Sequence, residues 1–303
     1  MFSTKSGAAR LALIAIVGLV VLKVVVAIVT GSISIFAQAL DSGLDLFAVV
    51  ITVLAVGMAT KPADEEHPFG HGKVEDIAAV IQAVLIFTAG GLIIYSAIQR
   101  LIIGEVLALT EAGIAVMVVS IVVSIFLSRY LMRLSRTTGS TALEANARNI
   151  AADVYSASGV LAGLVVIRFT GLNLIDPIIA LAVASLILKV GYDVLRKSFH
   201  GLIDVKLPEA EENAIKACIM EQGSQLVSFH NLRTRKAGSQ RYIDLHLVVP
   251  KDSSVEEAHQ TCNLLEKNLR SRLNDASITI HVEPCNNDCG HCSLSCTIRE
   301  EKY

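Results

Sequence analysis

Six apolar runs, each long enough to cross a membrane, constrain this chain more than any other feature; they lie at about 11–30, 33–59, 76–99, 111–134, 142–169 and 174–194. A spanning helix needs about 20 apolar residues, and lipid accepts only helices or closed barrels, which satisfy their own backbone groups. A six-helix bundle follows. The links at Gly31-Ser32 and Gly171-Leu172-Asn173 are so short that the helices they join must be antiparallel neighbours. The first run lacks an A-x-A-like exit and reads as a span, with no cleavable signal.

Composition divides the chain in two. At 53% hydrophobic with mean hydropathy +0.58, it is too apolar for a soluble domain. From about Asp204 the texture changes. Residues 208–222 read as an amphipathic helix beginning at Pro208, 226–235 and 241–249 as strands joined by Ala237-Gly238-Ser239, 254–273 as a helix, and 277–283 as a strand. The expected fold is an α-helical membrane bundle of six transmembrane helices (1–200), a small cytosolic α+β domain of order αββαβ (201–284), and a Cys-rich tail (285–303). A net charge of −2 argues against nucleic-acid binding.

Lysines and arginines fix the expected orientation. Lys5, Arg10, Lys61, Lys73, Arg129, Arg133, Arg136, Arg148, Lys189, Arg196 and Lys197 fall on one side, and only Arg100 and Arg168 on the other. The positive-inside rule then places both termini in the cytoplasm of a multi-pass protein of the cell's inner membrane.

The second run carries a polar stripe. Asp41 and Asp45 sit one turn apart on one face, with Ser34, Gln38 and Ser42 at the same spacing. An Asp at mid-membrane costs about 2.5–3.5 kcal/mol on insertion scales, a cost usually tied to an ion path or proton relay. Lys23 in the first run reads as a structural lysine, paired or snorkelling. In the fifth run Asn146, Asn149, Asp153 and Ser156 share a face, and Asn149 and Asp153 repeat the four-residue step. Asp41, Asp45, Asn149 and Asp153 together make a four-ligand cage for one divalent cation. Three carboxylates in a dry cage repel one another and hold protons until a metal displaces them. Metal–proton antiport follows. No His-Glu-x-x-His helix or nucleophile–base pair is present, so an enzyme is not expected.

Elsewhere, Asp64, His67 and His71 place a carboxylate and two imidazoles in one loop, a plausible metal set. Alternation along Tyr242–Leu247 puts His246 with Tyr242 and Asp244, opposite Ile243, Leu245 and Leu247. Cys285, Cys289, Cys292 and Cys296 could wrap a soft ion; Cys218 and Cys262 read as core thiols.

The Asp41-x-x-x-Asp45 pair, the run His67-Pro68-Phe69-Gly70-His71-Gly72-Lys73 and Asn149-x-x-x-Asp153 resemble the cation diffusion facilitators, over nearly the whole chain. The resemblance implies a homodimer that exports divalent metal by alternating access in exchange for protons, with a metallochaperone-like cytosolic domain. It also implies a second metal site at Asp64, His67 and His71, and a charge pair, Lys73 and Asp204, tethering the two domains. His230, His259 and His281 fall where the family carries ligands of a dimer-bridging site, with Glu283 where an Asp is usual; His246 joins that set. Asn149 stands where zinc-transporting branches place His. An all-oxygen cage is harder, which favours Mn²⁺, then Fe²⁺ or Zn²⁺. The alternative is a membrane metal sensor or scaffold that does not transport.

Overall fold

The computed structural model describes residues 4–30, 33–103, 111–170, 175–221, 226–273 and 275–285, the side chains at 30, 33–38, 40–41, 103, 112–113, 163–165, 167–170 and 175–176 excepted. It divides into two units, Met1–Leu202 and Ile203–Tyr303.

The first unit contains α1 (Lys5–Thr30), α2 (Ile33–Ala59), α3 (Lys73–Ile103), α4 (Glu111–Thr138), α5 (Thr141–Thr170) and α6 (Ile175–Leu202). Among the described residues five of these are long and apolar enough to cross a membrane, and α5 is not one of them. Its first half carries Glu144, Asn146, Arg148, Asn149 and Asp153. The other helices compensate, because α5 packs against α2, α3, α4 and α6. Large apolar side chains face outward instead. Ile28, Ile102 and Phe126 are all more than 70% exposed, as a lipid-facing surface requires.

Two apolar clusters hold the bundle. One joins α1, α2, α4 and α5 through Ile16, Val49, Val56, Leu131, Leu143 and Ile150. The other joins α3, α5 and α6 through Ala79, Ala83, Ile86, Ala152 and Ile187. Small residues permit the close approaches. A Cβ on Gly159 would lie 2.7 Å from Val183 Cγ2, and one on Gly90 would lie 2.9 Å from Leu188 Cδ2.

The second unit contains α7 (Glu209–Met220), β1 (Ser228–Ala237), β2 (Gln240–Val249), α8 (Val255–Arg272) and β3 (Ala276–Pro284). The sheet order is β1-β2-β3, with β1 antiparallel and β3 parallel to β2. The parallel pair requires a crossover, which α8 supplies. Gly238, at φ 60, turns the β1–β2 hairpin. Ile243, Leu245 and Leu247 on β2 pack against Ile215 and Ile219 of α7 and Leu265 and Leu269 of α8. One sheet face is thus covered by helices and the other is left for polar side chains. Ser254 and Glu257 close a capping box at the start of α8.

Candidate metal centres

The candidate membrane site falls on α2 and α5, which pack together. Asn149 is buried at 7% exposure, and Asp45 and Asp153 are half-buried. Asp41 lies outside the described residues as far as its side chain goes. Lys23 on α1 donates to Ser42 Oγ at 2.6 Å, so this lysine is bonded inside the bundle, on the turn that carries Asp45. Asn146, one turn before Asn149, is wholly buried. A second polar link escapes a reading of the sequence: Gln82 on α3 donates to Thr52 Oγ1 on α2 at 2.6 Å. The available signal was one glutamine inside an otherwise apolar stretch.

The α2–α3 loop folds back on itself. Gly70 takes φ 75, and its N–H donates to His67 O at 2.8 Å. That turn returns His71 to Asp64. His67 Nδ1 stands 3.1 Å from Asp64 Oδ1, and His71 Nε2 stands 3.4 Å from Asp64 Oδ2. One ligand atom from each of the three can be chosen so that all lie within 4.8 Å of one another. The His67 backbone N–H, donating to Asp64 Oδ1 at 2.7 Å, holds the Asp64 carboxyl below its usual range, with the two imidazoles adding to the effect. A carboxylate kept charged beside two imidazoles is a set that can hold a divalent ion.

The open sheet face of the second unit carries the other cluster. His230 pairs with His246 across β1–β2, and His246 with His281 across β2–β3, so three imidazoles line up one per strand. Ring centroids are 5.1 Å apart for the first pair and 4.8 Å for the second. Glu283 lies two residues along β3 from His281, on the same face. Its carboxylate is 2.7 Å from His246 Nδ1, 3.4 Å from His230 Nε2 and 3.7 Å from His281 Nε2. One ligand atom each from His230, His246 and Glu283 likewise lie within 4.8 Å of one another. His259 is exposed on α8, in the helix layer, and is not brought into this group within one chain.

The remaining residues are held locally. Lys73 Nζ donates to Leu202 O at 3.2 Å, at the end of α6. Asp204, at φ 58, pairs with Arg235 at 3.4 Å. Cys285 continues β3, donating its N–H to Val249 O at 2.9 Å, and its thiol is buried with Val227 and Val248. Cys289, Cys292 and Cys296 lie outside the described residues. Burial pushes the Cys218 and Cys262 thiols up, as befits core positions.

Comparison with known proteins decides the family. The family model described as the cation efflux transmembrane domain matches residues 9–203, and the one described as the cytoplasmic domain of cation efflux proteins matches residues 207–285. The chain belongs to the cation efflux family, the cation diffusion facilitators. It is therefore a membrane transporter of divalent metal, not an enzyme. An uncharacterized transporter of Synechocystis sp. is 34% identical over 84% of this chain and 83% of its own. The cation-efflux pump FieF of Cronobacter sakazakii is 33% identical over 84% of this chain and 85% of its own. The metal-bound C-terminal domain of the CzcD transporter from Thermotoga maritima is 27% identical over 27% of this chain and 99% of its own, with a TM-score of 0.25. In this cation efflux protein, then, the six-helix bundle is the transporting part and the αββαβ unit its cytosolic domain.

Proposed function

We propose that this cation efflux protein exports Mn²⁺ ahead of Fe²⁺ and Zn²⁺ from the cytoplasm, in exchange for protons and by alternating access. The observation that carries the reading is a buried Asn149 one turn from Asp153, on the helix that packs against α2 and Asp45. A buried amide with no histidine beside it leaves an oxygen-only donor set for the cargo. Hard cations prefer such a set, and imidazole would favour zinc. Carboxylates crowded around that position exchange protons for metal. Moving two charges outward costs about 4.6 kcal/mol at 100 mV, at roughly 2.3 kcal/mol per charge, and inward protons offset it.

The other clusters act on the transport cycle. Asp64, His67 and His71 take metal at the cytosolic loop. His230, His246, His281 and Glu283 take metal on the open sheet face, where His259 of a second copy completes a site that bridges a homodimer. Reversing the charge of Lys73 or of Asp204 lowers transport, both termini face the cytoplasm, and the Cys-rich tail binds a soft ion. A sensor without transport would have no use for a buried asparagine beside Asp153, and the membrane site favours transport over that alternative.

The test is metal uptake into sealed inverted vesicles with and without an imposed pH gradient. The expected result is Mn²⁺ accumulation that follows the gradient and disappears in Asp45→Ala. Uptake that ignores the gradient removes antiport from the account, and uptake that survives Asp45→Ala removes the membrane site.

A further inference from the structure

Among the described residues of the first unit nine buried side-chain nitrogen and oxygen atoms make no hydrogen bond, and five of the nine belong to three residues: both Glu75 oxygens, Gln82 Oε1, and Asn146 Nδ2 and Oδ1. All three residues are fully buried. Buried polar groups are nearly always paired, and exceptions call for an explanation.

The three share one seam. On α5, Asn146, Asn149 and Asp153 fall within about 60° of one another. That stripe runs between Leu143, Ala147 and Ile150, packed toward α1, α2 and α4, and Ala145 and Ala152, packed toward α3 and α6. On α3, Glu75 and Gln82 lie seven residues apart on one stripe, between Ala78 of the first cluster and Ala79 and Ile86 of the second. Thr52, bonded to Gln82, lies seven residues from Asp45 on α2. The helices α2, α3 and α5 pack against one another in all three pairs. Glu75 faces the start of α5, at Ser140 and Ala142, with Lys5 Nζ at 3.9 Å.

The polar groups are also ordered by depth. The start of α3 lies beside the end of α6, where the chain passes into the cytosolic domain, through Lys73 and Leu202. At a rise of 1.5 Å per residue, Asn146 is about 7 Å from the near end of its helix, Thr52 about 10 Å, Gln82 about 13 Å, Asp153 about 18 Å and Asp45 about 21 Å. Oxygen donors therefore occur at steps of a few ångströms from the cytosolic surface to the membrane site.

We propose that the α2–α3–α5 seam is the cytosolic access route of the cation, with Glu75, Asn146, Gln82 and Thr52 as a staging site ahead of Asp45, Asn149 and Asp153. The proposal rests on the reading of those last three as the transport ligands. A divalent cation sheds water stepwise, and a carboxylate, two amide oxygens and a hydroxyl replace that water as it descends. Gln82 Oε1 and both polar atoms of the Asn146 amide are groups on that path that make no hydrogen bond.

The test uses full-length protein in proteoliposomes, with Mn²⁺ and Zn²⁺ run in parallel and Asp45→Ala as the control for the transport site. Gln82→Leu and Asn146→Leu should lower the initial uptake rate at least tenfold. Gln82→Glu and Asn146→Asp keep an oxygen and add charge, so they should transport with a lowered KM, a shift that a purely structural role would not produce. Wild-type rates in the Leu variants, or an unchanged KM in folded Glu and Asp variants, would overturn the route while leaving the transport site standing. Wild-type transport by Asp45→Ala would instead overturn the reading beneath it.

Discussion

His230 faces His246 across the β1–β2 ladder because a bulge falls between His230 and Arg233. Arg233 pairs with Asp244 on the open face, so strict alternation would turn His230 into the core. Asn231, at φ 52, takes up the extra residue and resets the phase. Phe229 and Leu232, three apart, then both pack against the core.

That bulge is testable. Asn tolerates a left-handed backbone and Val does not. Asn231→Val should destabilise the cytosolic domain by about 1–3 kcal/mol and weaken its metal binding. Asn231→Gly should do neither. Thermal unfolding with and without Zn²⁺ measures both effects.

Glu212 gives a pH dependence. Burial works to raise its carboxyl, but hydrogen bonds from Lys206 at 3.2 Å and Thr234 at 3.0 Å win and hold it below 4.5. A depressed folded-state value stabilises the domain above pH 4.5, and that contribution is lost as pH falls through the folded value. The Tm of the cytosolic domain should therefore drop on acidification below that range. Glu212→Gln should lower the Tm at neutral pH and flatten the acid limb.

The contact of Gly159 with Val183 predicts a steric effect in the bundle. Gly159→Leu forces α5 and α6 apart, with a cost of about 1–3 kcal/mol for overpacking. Its detergent-solubilised form should melt earlier than wild type, and Val183→Ala should recover part of the loss.

Much of this was legible in the sequence, for identifiable reasons. Long apolar runs mark spans directly, and α2 matches its run from 33 to 59 at both ends. Alternation along β2 placed His246 opposite Leu245 and Leu247 correctly, because one face of that strand is covered and the other is not. Helix ends were less legible. The helix α3 begins at Lys73, three residues before its apolar run, since Glu75 and Asp76 are buried at its first turn despite their charge. The bulge at Asn231 left no periodic trace, because one inserted residue looks like noise in a ten-residue strand. Cys285 read as the first residue of a tail, yet β3 carries it on to a bond with Val249 and a buried thiol. Gln82 and Thr52 were invisible as a pair, since only the packing of α2 on α3 brings them together.

The central claim is that Asn149 sets the cargo, and one substitution tests it most directly. Competition between Mn²⁺ and Zn²⁺ for uptake into proteoliposomes, wild type against Asn149→His, measures the preference itself. Wild type should favour Mn²⁺, and the histidine variant should shift the ratio toward Zn²⁺ by tenfold or more, about 1.4 kcal/mol. A wild type that favours Zn²⁺, or a ratio that Asn149→His leaves unchanged, would contradict the account.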